Sequence, residues 1–91
     1  MTLLSDDEIA ARLEDGDWRR EGNAIVREWR FKDFGEAISF VNRVDDVAEN
    51  ANHHPDILVH GWNHVRLTLS THSEGGITGA DLKLADSFDR L

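Results

Sequence analysis

Three histidines carry the side chains best suited to moving protons near neutral pH. His53 and His54 are adjacent and are followed by Pro55, and His72 lies at the end of a later strand-like run. Histidine is the side chain whose unperturbed pKa, about 6.5, falls in this range. Pro55 pushes His54 into an extended conformation, so the pair is predicted to lie where a helix ends. The pattern indicates general acid–base chemistry.

Two carboxylates could support these imidazoles. Glu49 lies four residues before His53, about one helical turn, where a carboxylate could hydrogen-bond the imidazole and fix its tautomer. We therefore expect Glu49 to assist His53 without reacting itself. Asp81 lies three residues after Thr78, so it could belong to the site or serve only as a capping-box partner of Thr78. The sequence leaves both roles of Asp81 open.

A second pair of histidines, His60 and His64, suggests a metal site as an alternative. Four-residue spacing places two ligands on one face of a helix. Gly61 and the strand-like surroundings oppose a helix, and on an extended strand the two imidazoles would lie about 13 Å apart. The chain also contains no cysteine. We therefore expect no metal at this pair.

The apolar pattern predicts an α+β fold with an antiparallel sheet, in the order helix, two strands, long helix, two strands, helix. The predicted elements are a helix beginning at the Ser5–Glu8 capping box, strands 18–21 and 24–31, a helix over 34–51 behind Asp33, strands 57–62 and 64–70, and a last helix capped by Thr78 and Asp81. The aromatic side chains assigned to the core are Trp29, Phe31, Phe34 and Phe40.

Composition and charge narrow the possible partners. Eighteen acidic and ten basic residues give a net charge of −8, which argues against binding to nucleic acid or to anionic membranes. No stretch approaches the roughly 20 apolar residues that span a bilayer, and the first residues lack the basic flank of a signal peptide. We expect one cytoplasmic domain over residues 1–91, whose small core favours self-association.

The spacing of the candidate residues resembles the signature of the pterin-4a-carbinolamine dehydratases. That signature is matched by Glu49, His53-His54-Pro55, Trp62, His72 and Asp81, and the resemblance extends upstream through Phe31-Lys32-Asp33-Phe34. It implies four antiparallel strands with three helices packed on one face. It also implies dehydration of 4a-hydroxytetrahydrobiopterin to quinonoid dihydrobiopterin and water. This reaction recycles the pterin cofactor of aromatic amino acid hydroxylases.

The resemblance also implies roles for individual residues. His53, His54 and His72 would line the pterin pocket, with His53 and His72 as the acid–base pair and His54 helping to hold the pterin. Pro55 would shape the site. Trp62 is assigned to the core or to an interface, with packing beside the pterin ring as the alternative. No cofactor is required, and a homodimer or homotetramer is expected.

Two features leave the substrate and the role open. Ile57-Leu58 replaces an aromatic pair found in animal-type members, and one more residue separates Pro55 from the next aromatic residue. Pocket shape and substrate preference are therefore undetermined, and a molybdopterin-related pterin is an alternative substrate. A chain of this fold could also act without catalysis, as a protein-binding dimerisation cofactor of a transcription factor.

Overall fold

A computed structural model of the protein describes residues 2–91, which form three helices and four strands in the predicted order. The helices are α1 (Asp6–Leu13), α2 (Phe34–Ala51) and α3 (Gly79–Asp89), and the strands are β1 (Arg19–Glu21), β2 (Ala24–Arg30), β3 (Asp56–His60) and β4 (His64–Leu69). A single 3-10 turn, His72–Glu74, lies between β4 and α3. No helix in this part of the chain is long and apolar enough to cross a membrane.

The four strands form one antiparallel sheet in the order β1-β2-β4-β3. The predicted α+β class and antiparallel sheet are therefore confirmed. Strands β2 and β4 lie in the middle and pair Ile25 with Leu69 and Trp29 with Val65. Because side chains alternate between the two faces of a strand, this register places these apolar residues on one face. Strand β3 is left at an edge of the sheet.

The core lies between that apolar face and the helices. Helix α2 contributes the buried residues Ala37, Phe40, Val44 and Ala48, whose spacing of three and four residues places them on one stripe. Helix α3 buries Leu82, Leu84, Ala85 and Phe88, and α1 contributes Ile9. The core is therefore shared by all three helices and one face of the sheet.

One aromatic assignment was wrong. Phe34 is 55% exposed at the start of α2, whereas Phe40 is buried. The rings of Trp29 and Phe31 pack against Phe40 at centroid distances of 4.8 and 5.1 Å. The buried stripe of α2 begins at Ala37, so Phe34 lies before it, at the first residue of the helix.

The end of α2 turns the chain toward the candidate site. Asn52 adopts the left-handed conformation with φ 50°, and its N–H donates to the carbonyls of Ala48 and Glu49. The N–H of His53 donates to the carbonyl of Ala48 at 3.2 Å. Backbone bonds of this kind satisfy the last helical carbonyls and end the helix. The chain therefore changes direction immediately before the histidine pair.

Asp89 connects three parts of the fold. Its Oδ1 accepts from the indole N–H of Trp18 at 2.7 Å and from the guanidinium of Arg27 at 2.6 Å. Arg27 also lies over the ring of Trp29, 4.5 Å from its centroid. An arginine on the apolar side of β2 is thus accommodated by pairing and stacking. These contacts tie the segment before β1, the sheet and α3 together.

Candidate active site

His53 pairs with a buried carboxylate. Its Nε2 lies 2.6 Å from Oδ1 of Asp81, and the His53 side chain is 20% exposed whereas that of Asp81 is fully buried. The turn at Asn52 directs His53 from the end of α2 toward the first turn of α3. The structure therefore brings together two residues separated by 28 positions in the sequence.

The carboxylate of Asp81 is held on its other oxygen. Oδ2 accepts from the hydroxyl of Thr71 at 2.9 Å and from the backbone N–H of Thr78 at 2.9 Å. Thr71 is also buried, and its hydroxyl shares a 2.8 Å hydrogen bond with that of Thr78. Buried carboxylates need such partners, since an unpaired buried charge is costly. Asp81 therefore caps α3 and contacts His53 at the same time.

This network determines which nitrogen of His53 is free. With Asp81 ionised, its oxygens can only accept hydrogen bonds, and His53 then donates from Nε2–H. In the neutral imidazole, Nδ1 then carries the lone pair and can take up a proton. Asp81 would also stabilise the imidazolium that results. The arrangement suits a general base with a fixed tautomer.

Glu49 hydrogen-bonds His54, so the expected pairing with His53 was wrong. The Nε2 of His54 contacts Oε2 of Glu49, and both side chains are more than half exposed. The one-turn spacing from Glu49 to His53 assumed that the helix continues. Helix α2 ends at Ala51, and the left-handed turn at Asn52 sends His53 to α3 and His54 back along α2.

His72 lies directly after Thr71, the residue that donates to Asp81. Strand β4 ends at Leu69, and His72 is exposed at the start of the 3-10 turn. The alternation of β4 therefore does not extend to His72. Its backbone is placed beside the His53–Asp81 pair through Thr71, while its imidazole faces solvent.

Trp62 lies away from the pair and outside the core. It is 61% exposed, with φ 60°, in the turn that follows β3. The core assignment was therefore wrong, and the interface assignment stays a prediction. Six residues separate Trp62 from Pro55, and five of them form β3 at about 3.3 Å each. Pro55 is half-buried at the entry to that strand. Within one chain, Pro55 is near His53 and Trp62 is not.

His60 and His64 are neighbours, and the estimate of about 13 Å for a continuous strand was wrong. They face each other across the β3–β4 hairpin, with ring centroids 5.1 Å apart. The side chain of His60 hydrogen-bonds Glu28 at 2.9 Å, which lowers the pKa of that carboxyl. Among residues 2–91, no group of three or more histidine, cysteine or acidic side chains is placed to hold a metal ion.

A groove of about 680 Å³ opens beside His53, between the end of α2 and α3. Val47 and Ala51 line its α2 side, and Leu84 and Lys83 line its α3 side. Small-molecule pockets of about 300–1,000 Å³ usually combine such apolar walls with a few polar groups. The His53–Asp81 pair is therefore next to a space that is large enough for a ligand.

Two contributors to this geometry were missed in the sequence. Thr71 carries no sequence signal that distinguishes it from any other strand-end threonine. Asn52 does carry a signal, because asparagine is one of the residues that adopt the left-handed turn at a helix end. Recognising that turn would have shown that His53 leaves the helical face on which Glu49 lies.

The sequence is similar to curated proteins along its whole length. A relative from Nocardia farcinica is 50% identical over 90 residues, covering 98% of this chain and 94% of its own. A relative from Thermomicrobium roseum is 50% identical over 92 residues, covering 100% of this chain and 98% of its own. Both are named provisionally as pterin-4-alpha-carbinolamine dehydratases.

Solved structures share the fold. The crystal structure of a transcriptional coactivator/pterin dehydratase from Brucella melitensis matches with a TM-score of 0.90 and 34% identity, covering 98% of this chain and 97% of that one. A pterin dehydratase-like protein described as a RuBisCO assembly factor of the alpha-carboxysome matches with a TM-score of 0.70. That match has 20% identity and covers 84% of this chain and 89% of the other, so it shows the fold alone.

The sequence profile of one protein family matches nearly the whole chain. The profile of the family described as Pterin 4 alpha carbinolamine dehydratase matches residues 2–91. This range includes every element of the fold and all the candidate site residues. With two relatives at 50% identity over nearly the whole length, the chain belongs to the pterin 4 alpha carbinolamine dehydratase family.

Proposed function

We propose that this protein dehydrates 4a-hydroxytetrahydrobiopterin to quinonoid dihydrobiopterin and water by histidine acid–base catalysis. The observation that carries the proposal is the hydrogen bond between His53 and the buried carboxylate of Asp81, beside an open groove. The family assignment supplies the class of reaction. We expect the protein to act in the cytoplasm, without a cofactor or nucleic acid.

The reaction needs two proton transfers. The C4a–O bond breaks as the departing hydroxyl gains a proton and leaves as water, and N5 loses a proton as the C4a–N5 double bond forms. His53 would take the N5 proton at Nδ1, because Nε2 is bonded to Asp81. His72 would donate to the hydroxyl, and His54, held by Glu49, would help to bind the pterin.

The test is the dehydration rate of enzymatically generated 4a-hydroxytetrahydrobiopterin, followed by ultraviolet absorbance. We expect wild type to accelerate the reaction and His53→Ala and His72→Ala each to lose about a hundredfold in rate, as for lost general acid–base groups. His60→Ala is the matched control, because His60 is a partly exposed imidazole on the β3–β4 hairpin. It should keep the wild-type rate.

Two outcomes would contradict the proposal. A folded wild-type protein that does not accelerate dehydration would remove the recycling role. Equal losses in His53→Ala and His60→Ala would show that the rate does not depend on the His53–Asp81 pair. Circular dichroism of each variant separates loss of chemistry from loss of structure.

A second candidate is a protein-binding role, without catalysis. Ile57 and Leu58 on β3 are 39% and 48% exposed, and Trp62 in the next turn is 61% exposed. Exposed apolar side chains at a sheet edge suit contact with another chain. The Brucella relative is described as both a coactivator and a dehydratase. A wild-type protein that binds pterin without dehydrating 4a-hydroxytetrahydrobiopterin would favour one of two alternatives. These are the protein-binding role and action on a molybdopterin-related pterin.

A further inference from the structure

The groove beside His53 extends well past the proposed reaction centre. Its α3 wall runs from Gly79 through Lys83 to Ser87, a distance of about 12 Å at 1.5 Å per residue. His53 reaches this wall only at its start, through Asp81 in the first turn of α3. About two helical turns of groove therefore remain for parts of a ligand that do not react.

Lys83 is an unpaired cation in this wall. Across residues 2–91, its ammonium forms no ion pair and no hydrogen bond, although the chain has 18 acidic residues. The acids of α3 have other partners, since Asp81 contacts His53, Asp86 contacts Arg12 and Asp89 contacts Arg27. Helical side chains lean toward the helix N-terminus, which directs Lys83 back over the turn beside His53.

Asn50 supplies a second free donor on the opposite wall. It lies on α2 and lines the same groove, and within the described part of the chain its side-chain amide has no hydrogen-bond partner. The Ser87 hydroxyl, by contrast, donates to the carbonyl of Lys83 at 3.3 Å. The groove thus offers an ammonium and an amide N–H₂ beyond the reaction centre, with Val47, Ala51 and Leu84 as apolar walls.

We propose that this groove is a subsite for an anionic group, a phosphate or a carboxylate, carried on the side chain of the pterin. The inference rests on the proposed function, because it takes the pterin ring as the group beside His53. The ammonium of Lys83 and the amide of Asn50 would bind the anion, and the apolar walls would contact the linker. The net charge of −8 repels anions at a distance, so the preference must come from this local pair.

Binding of matched pterins tests the subsite. Dissociation constants come from quenching of pterin fluorescence, with 6-(3-hydroxypropyl)pterin against 6-(2-carboxyethyl)pterin and neopterin against neopterin monophosphate. Wild type should bind each anionic ligand about two- to fivefold more tightly than its neutral partner, as an ion pair with an exposed lysine allows. The larger of the two ratios identifies phosphate or carboxylate as the preferred anion.

Variants assign the preference to Lys83. Lys83→Gln should bring the ratio of anionic to neutral affinity close to one, whereas Lys83→Arg should keep the wild-type ratio. Arg90→Gln is the matched control, because it makes the same change in charge just beyond the other end of α3. It should retain the wild-type ratio.

Equal wild-type affinity for neutral and anionic ligands would overturn the subsite, as would a preference that survives in Lys83→Gln. The dehydration assay with the neutral substrate keeps the two proposals apart. Normal dehydration without an anion preference removes only the subsite. Absence of both dehydration and pterin binding removes the proposed function as well.

Discussion

A single buried carboxylate performs two tasks in this protein. Oδ2 of Asp81 accepts the backbone N–H of Thr78 and so closes the capping box of α3, while Oδ1 contacts His53. The capping role of Asp81 is therefore confirmed, while a role in the site stays a prediction that the contact with His53 supports. Because the same carboxylate holds the helix start and the imidazole, changing it would disturb stability and geometry together.

Substitutions at Thr71 can separate the effect on stability from the effect on the geometry of His53. We expect Thr71 to act as a positioning residue. Thr71→Val removes the hydroxyl that donates to Asp81 but keeps the shape of the side chain. Asp81 loses a donor and the Thr78 hydroxyl loses its 2.8 Å hydrogen bond to Thr71, so the free energy of unfolding should fall by about 1–3 kcal/mol. If the reorientation of Asp81 reaches His53, kcat should fall about tenfold with KM nearly unchanged.

Thr71→Ser is the control, since it restores the hydroxyl. Urea unfolding measures the free energy of unfolding of the two variants, and steady-state kinetics measures their kcat and KM. Reduced stability in Thr71→Val with an unchanged kcat would show that the hydroxyl supports only the fold. A positioning role of the hydroxyl predicts that Thr71→Ser keeps a kcat near that of wild type.

At the scale of elements, the end of α2 is what separates the two histidines. Pro55 predicts that the helix stops, but the direction of each imidazole comes from the left-handed turn at Asn52. That turn sends His53 to Asp81 and His54 to Glu49. The histidine pair is thus divided between two helices by one backbone conformation.

We therefore predict that the protein loses stability when Asn52 is replaced by a residue that avoids this conformation. Asn52→Ala should lower the free energy of unfolding by about 1 kcal/mol, because a Cβ disfavours positive φ. Asn52→Gly should keep wild-type stability, since glycine adopts this turn readily. Both are measured by urea unfolding. Equal stability of the two variants would contradict a backbone origin of the effect.

At the scale of the whole molecule, the sheet has an unprotected edge. Within residues 2–91, strand β3 pairs with β4 alone, and it carries exposed Ile57 and Leu58. Edge strands of this kind can pair with another chain unless charges or coverage prevent it. The small core makes association a further source of stability. These features support the expectation of a homodimer or homotetramer.

Sedimentation equilibrium tests this expectation against the monomer mass of 10.3 kDa. Wild type should exceed that mass, and Leu58→Lys should return toward it, because a charge on the edge strand opposes pairing. Leu91→Lys is the matched control, since Leu91 is 41% exposed at the chain end and away from β3. A wild-type protein that is monomeric at assay concentrations would contradict the prediction.

Local patterns in the sequence predicted the elements and their order. Helix α2 was predicted over its full range because its apolar stripe is continuous and Asp33 begins it. The Ser5 and Thr78 capping boxes were likewise predicted from residues only three positions apart. Such features depend on neighbouring residues, so they can be read without the tertiary structure.

The pairing of the site residues was decided only by the tertiary structure. Spacing along the chain assigned Glu49 to His53 and separated His60 from His64, and both assignments failed where the chain reverses direction. The contact between His53 and Asp81 depends on how α2 and α3 pack over the sheet. The sequence by itself therefore determined which side chains were available for proton transfer, and long-range packing decided which of them meet.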